Sequence, residues 1–336
     1  MTVDLRSDTV TKPTPGMLEA MFKAKVGDDV FGEDESINEL EQKAAAIFGM
    51  EAGIFCPSGT MTNQIAIKCF TQPLDELIAD QTAHVYRYEG GGIAFNSSVS
   101  TRLLNGERGI ITPEMIEPEI NAENIHFPHT SLVVLENTSN RGGGSCYTIE
   151  QIKAISELCK RKGLKFHLDG ARVFNALTYT GDSAKDYGKY FDGISVCLSK
   201  GLGAPVGSVF LADKETIKYA RRVRKVMGGG MRQAGFLAAA GTYALDHHVE
   251  RLKNDHAHAQ ILAEALRNCK AVTNVLPVET NLILFDTVEP AAIVSEKLAK
   301  QGIHALPTAA NRIRFVLHLD VHPEQAEYVV KVLGSF

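Results

Sequence analysis

Short apolar segments alternate with helical stretches from residue 52 onward, and this alternation limits the possible fold more than any other feature of the chain. Ala52–Cys56, Glu76–Ala79, Leu132–Leu135, Leu164–Leu168, Ile194–Leu198 and Val209–Ala212 are short and apolar, so they read as buried strands. Between them, Met61–Phe70 and Ile149–Lys162 carry apolar residues at helical spacing. The pattern predicts an α/β fold with a mostly parallel sheet covered by helices on both faces. Ahead of it, residues 1–16 lack periodicity and contain Pro13, Pro15 and Gly16, which reads as an extended arm; short helices follow over Met17–Lys25 and Ile37–Phe48. A long helical tract, Gly235–Arg267, precedes a strand–helix–strand–helix unit over Asn281–Phe285, Ala292–Lys300, Ile313–Leu319 and Pro323–Leu333. A chain of 336 residues suggests two domains. The expected division is 1–250, the arm plus a large domain, and 251–336, a smaller C-terminal α/β domain.

Composition removes several classes of function. With 44% hydrophobic and 22% charged residues the chain reads as an ordinary globular protein. Its formal net charge of -5, with both signs interspersed, gives no footprint for nucleic acid or an anionic membrane. No apolar stretch approaches the roughly 20 residues that span a bilayer. The start, MTVDLRSDTV, has an early acid and no apolar core, so it does not read as a signal peptide. Six cysteines form no C-x-x-C pair, and Cys56 and Cys197 lie inside apolar runs. They read as small core residues, and a cytoplasmic location is expected.

The chemistry centres on Lys200, which ends the run Ile194–Leu198 and is followed by Gly-Leu-Gly-Ala-Pro. In isolation, Ser-Lys-Gly is an ordinary turn. At the exit of a buried strand, however, desolvation favours the neutral, nucleophilic amine that a Schiff base needs. Asp169, in Phe166-His-Leu-Asp-Gly-Ala-Arg172, also stands just past a strand, where ligand groups gather in open parallel sheets. As a lone aspartate it would be read as a helix cap. Together, the two groups match the needs of a pyridine-ring cofactor: an amine for its aldehyde and a carboxylate for its ring nitrogen. Pro57-Ser58-Gly59-Thr60, between a strand and a helix, is a candidate phosphate turn.

Other motifs are weaker. Gly201-Leu-Gly-Ala-Pro-Val-Gly207 does not have the spacing of a Rossmann turn, and the Gly228–Gly230 run between Lys225 and Arg232 lacks a P-loop ending. His84 and His126 each lie beside a strand and could stack on a planar ring or move protons. His247, His248, His256 and His258 show no H-E-x-x-H pattern, so no metal site is expected. Of Arg312 and Arg314, at most one is expected to reach a given site, as a carboxylate clamp. Ser7 could add a hydroxyl if the arm folds back.

DLRSDTVTKP, GDDVFGED, PSGTMTNQ, AHVYRYEGGG, LENT, FHLDGAR, CLSKGLGAPVGS, GGGMRQAG and RFVLHLDV follow one another from residue 4 to about residue 330. In that order they resemble the threonine aldolases, pyridoxal 5'-phosphate enzymes of fold type I. The resemblance implies that Lys200 holds the cofactor aldehyde, Asp169 pairs with its ring nitrogen, and Gly59, Thr60 and Ser199 hold its phosphate. It implies that His84 stacks on the ring, and that Ser7, Arg172 and Arg314 hold the substrate carboxylate. Lys225 and Arg232 match positions that reach an active site at a subunit interface, which implies an oligomer, usually a homotetramer. Phe31 stands where many relatives carry tyrosine, so no phenol hydroxyl is available there.

The expected reaction is retro-aldol cleavage of L-threonine, L-allo-threonine or a related β-hydroxy-α-amino acid to glycine and an aldehyde. His84 or His126 is the candidate base, by chemical type. Transamination and hydroxymethyl transfer use the same scaffold, and a non-catalytic cofactor sensor would keep the same pocket.

Overall fold

The computed structural model describes residues 1–336. In chain order its strands are β1 (Val3–Asp4), β2 (Ala52–Cys56), β3 (Asp75–Asp80), β4 (Ser100–Leu104), β5 (His129–Glu136), β6 (Lys165–Gly170), β7 (Gly193–Cys197) and β8 (Ser208–Ala212). The remainder are β9 (Val272–Val275), β10 (Leu282–Thr287), β11 (Ile303–His304), β12 (Leu306–Ala309) and β13 (Arg312–Val316). Seven of these form one sheet in the order β2-β8-β7-β6-β5-β3-β4. Only β8 runs against the others. The carboxyl ends of β2, β3, β5, β6 and β7 therefore share one edge.

Strand alternation divides the sheet's side chains between two cores. Val133, Leu135, Phe166, Leu168, Ile194 and Val196 enter one, with Leu40, Ile152 and Ile155 from helices Glu35–Phe48 and Ile149–Lys162. Leu132, Val134, Leu77, Ala79, Ile54 and Phe210 enter the other, under helices Gly59–Phe70 and Lys214–Val226. Both faces are covered, which is why these strands read as continuous apolar runs. Local signals set the helix ends. Thr148 and Gln151 form a capping box at the start of Ile149–Lys162, and Gly163 ends it at φ 71°.

The helical tract expected as one unit, Gly235–Arg267, is two helices, Gly235–His247 and Leu252–Arg267. Leu252 packs in the first large core, whereas Ala259 and Leu262 pack in a third core under the sheet β12-β13-β10-β9. The break turns the chain from one core to the other. This sheet is wholly antiparallel. The amino-terminal arm packs with it: Val3 and Leu5 are buried in the third core and β1 pairs with β11. The strands Ser100–Leu104, Val272–Val275 and Leu306–Ala309 carry too few consecutive apolar residues to be read from periodicity; β4, β9 and β12 lie at sheet edges.

Gly170 closes β6 directly after Asp169, where a Cβ would lie 2.4 Å from the Ser195 carbonyl oxygen of β7. Backbone cannot move aside as a flexible side chain can. Gly170→Ala is therefore expected to cost about 1–3 kcal/mol through overpacking. Chemical denaturation checks this, and an unchanged midpoint would show that the two strands can part.

Candidate active site

Three adjacent parallel strands bring the first groups together. Glu136 of β5 is in register with Asp169 of β6, and Asp169 with Ser195 of β7. All three alternate onto the face covered by helix Gly59–Phe70, at the carboxyl edge of the sheet. Beyond β7 the chain delivers Ser199 and Lys200, both half-buried, to the same edge. A pocket of about 170 Å³ results, lined among others by Gly59, Thr60, His84, Asp169, Ser199 and Lys200. Lys200 is thus partly open to the pocket rather than sealed in the core.

Asp169 is almost fully buried, at 3% exposure. Its Oδ1 accepts the Ala171 N–H at 3.2 Å, while Oδ2 is buried with no partner. A buried carboxylate oxygen without a donor is costly and calls for a ligand group. A protonated pyridine nitrogen supplies that donor. Ser58 caps helix Gly59–Phe70, its Oγ accepting the Met61 N–H at 3.2 Å. The first helical N–H groups, at Gly59 and Thr60, have no intrahelical acceptor and border the pocket, as an anion requires. The residues present therefore fit a phosphorylated pyridine aldehyde.

His84 begins a short helix after β3 and is held at two points. Its backbone N–H donates to Glu136 Oε2 at 2.8 Å, and its Nδ1 lies 3.1 Å from Glu89 Oε1. Polar atoms of His84, Glu89 and Asp169 all lie within 4.8 Å of one another, so the imidazole faces the ring-nitrogen carboxylate across the pocket. Burial opposes protonation of His84, but its hydrogen bond to the Glu89 carboxylate and the charge of Asp169 outweigh it and raise its pKa. Glu89 in turn accepts from Asn63 at 2.9 Å and Gln64 at 2.6 Å, both on the phosphate-turn helix.

Both arginines expected at the substrate carboxylate are engaged within the chain. Arg172 is buried, and its Nε and Nη2 are engaged by Asp8 of the arm at 2.7 and 2.8 Å. That fork is not free for a substrate. Arg314 donates to Asn140 Oδ1 at 2.7 Å and to the Arg6 carbonyl at 3.0 Å, while its buried Nε has no partner. Burial and the nearby Arg172 charge lower its pKa to about 10. Arg312 and Arg314, two apart in β13, share a face, and position along the strand separates them: Arg312 is forked on Asp286 at 2.6 and 2.9 Å. Ser7 lies between Arg6 and Asp8, its Oγ accepting from Thr9.

Ser7, Arg172 and Arg314 do not line this pocket, and neither do His126, Lys225 and Arg232. His126 is exposed before the amino-terminal end of β5, at the opposite edge of the sheet from Glu136. Lys225 lies at the end of helix Lys214–Val226, beside Asp29 and Arg221, and Arg232 pairs with Asp28 at 2.9 Å. Phe31, 75% exposed, lies two residues after Asp29. Asp8, Glu89, Glu136 and Asn140 were not singled out in the sequence, although Asp8, Glu89 and Glu136 sit inside the RSDT, YRYEGGG and LENT motifs. Asn140 lies two residues past LENT, without a signal of its own.

A seven-stranded sheet with one reversed strand, a carboxylate ending β6 and a lysine past β7 define the architecture of fold type I pyridoxal-phosphate enzymes. A threonine aldolase structure from Leishmania major shares this fold, with a TM-score of 0.85 at 22% identity, covering 99% of this chain and 98% of that one. The family model described as Beta-eliminating lyase matches residues 4–290. The low-specificity L-threonine aldolase of Escherichia coli strain K12 is 42% identical over 99% of each chain. Low-specificity L-threonine aldolase 1 of Arabidopsis thaliana is 41% identical over 98% of this chain and 94% of its own length. The chain belongs to the beta-eliminating lyase family and, within it, to the threonine aldolases.

Glu136 provides a pH test of the site. Burial and the charge of Asp169 push its pKa from 4.5 up to about 7, against the N–H groups of Asn140 and His84. A raised carboxyl pKa means stability present below pH 4.5 and lost as pH climbs through about 7. Without bound cofactor, the thermal midpoint of Glu136→Gln relative to the parent is expected to shift in the variant's favour between about pH 5 and 8. A constant offset across that range would show that Glu136 does not titrate there.

Proposed function

We propose that this chain is a pyridoxal 5'-phosphate-dependent lyase that cleaves L-threonine, L-allo-threonine and related β-hydroxy-α-amino acids to glycine and an aldehyde. The observation that carries this reading is the single pocket lined by Lys200, by Asp169 with its unpartnered, buried Oδ2, and by Gly59 and Thr60 with their open N–H groups. Lys200 would hold the cofactor's aldehyde and Asp169 its ring nitrogen. Gly59, Thr60 and Ser199 would hold the phosphate, and His84 would cover the ring. When bound, the group supplies an electron sink conjugated to the substrate Cα.

The protein's own task is to select the bond and move protons. Arg314, whose buried Nε has no partner, the remaining donors of Arg172 and the Ser7 hydroxyl would hold the substrate carboxylate. Fixing the carboxylate orients Cα so that the Cα–Cβ bond is the one that breaks. Glu89, as acceptor for Nδ1–H, leaves Nε2 of His84 as the basic nitrogen, and that atom takes the β-hydroxyl proton. The β-oxygen becomes the aldehyde carbonyl, the Cα–Cβ pair stays with Cα, and a proton delivered to Cα completes glycine.

Lys225 and Arg232 fit this reading as groups contributed to a neighbouring subunit's pocket in a homotetramer. Both are exposed, and neither lines the pocket that holds the chain's own lysine. A cytoplasmic location is supported by six free cysteines, and no helix is long and apolar enough to cross a membrane.

Purified protein loaded with cofactor should release glycine and acetaldehyde from either threonine diastereomer without a folate or keto acid. Lys200→Ala should fold but lose the borohydride-reducible link and nearly all turnover, whereas retained covalent cofactor would overturn the assignment. His84→Phe should keep the cofactor and lose about 10²–10⁴-fold in kcat. A variant with parental kcat would move the base elsewhere.

A further inference from the structure

We propose that Asp8 is a positioning residue of the substrate-carboxylate site, orienting Arg172 from the amino-terminal arm so that its remaining donors meet the carboxylate. The proposal rests on the function given above and adds a residue to that site.

The geometry is unusual for an arm. The Asp8 side chain is fully buried and that of Arg172 is 5% exposed, and they meet in a two-bond fork across 164 residues of sequence. Both carboxylate oxygens are used, so the guanidinium plane is set by Asp8. Arg172 begins helix Val173–Thr180 with no side-chain cap, so its own helix does not set that plane.

Asp8 is itself placed by the C-terminal unit. Val3 N–H donates to Gly302 O at 2.9 Å, Leu5 N–H to His304 O at 2.8 Å, and Val316 N–H to Leu5 O at 2.9 Å. Two residues before Asp8, the Arg6 carbonyl receives Arg314. One short segment thus holds both arginines, one from each of the two sheets' units, with Ser7 between its two contacts.

Charge gives the second argument. Arg172 and Arg314 are both buried, and the Arg172 charge, after burial, disfavours the charge on Arg314. Asp8 is the buried anion among these cations and Lys200, and Arg172 outweighs its burial to keep its pKa low. Removing that anion would leave Arg172 free to turn and to repel its neighbour. A carboxylate ligand would then meet a disordered pair of donors in place of a preformed one.

The alternative is that Asp8 only anchors the arm, and ligand choice separates the two. Binding of glycine and of glycine methyl ester to the cofactor-loaded protein is measured from the cofactor's absorbance change, without turnover. Asp8→Asn is expected to weaken glycine by about tenfold to a hundredfold, as loss of a charged hydrogen bond implies, and the ester by less than about twofold. Equal weakening of both ligands, or no change in either, would overturn the proposal. Asp8→Glu keeps the charge but displaces the fork; it should fall between parent and Asp8→Asn for glycine, and it carries the test if the asparagine variant does not fold. If the parent protein itself binds neither cofactor nor glycine, the proposed function fails, a result distinct from a parent that binds and a variant that binds equally well.

Discussion

The register of three parallel strands is the constraint on which the rest of the site depends. Pairing β5 with β6 and β6 with β7 aligns Glu136, Asp169 and Ser195 in one row at the carboxyl edge. A shift of one residue in any of these strands would turn its polar end group into the opposite core. The apolar alternation below the row prevents that shift: Val133, Leu135, Phe166 and Leu168 fill one face, and Leu132 and Val134 the other. The hydrophobic cores thus hold the row of polar groups in place, and Gly170 allows β6 and β7 to close beside it.

Around that row the polar groups are shared rather than separate. Glu136 binds the backbone of both His84 and Asn140, and Asn140 in turn accepts from Arg314. Glu89 links His84 to Asn63 and Gln64 on the phosphate-turn helix. Asp8 engages Arg172 from the arm. The base, the carboxylate donors and the phosphate turn are joined through buried carboxylates that touch none of the reacting atoms. Satisfied networks of this kind rigidify a site, and among the buried atoms left without a partner, Asp169 Oδ2 in the pocket and Arg314 Nε are charged groups that ligand atoms could satisfy.

Much of this was legible in the sequence because the strands are covered on both faces. Their apolar runs stand out for that reason, and β2, β3 and β5–β8 were all recognisable. Edge strands such as β4 and β9, half-exposed and mixed in composition, gave no comparable pattern. Lys200 and Asp169 were visible because each follows such a run directly. Asp8, Glu89 and Glu136 were present in recognisable motifs, but nothing local indicates which group a carboxylate will face.

The sequence alone determined the alternating fold, the strand ends carrying Asp169 and Lys200, the turn at Gly59–Thr60 and membership of a family whose motifs run along the chain. These features depend on neighbours along the chain or on strand polarity, and both are written locally. Only the tertiary structure decided that Arg172 faces Asp8 and that Arg314 keeps one donor free. Those outcomes depend on contacts across more than a hundred residues, where packing of the arm and of the C-terminal unit, rather than local preference, sets which polar groups meet.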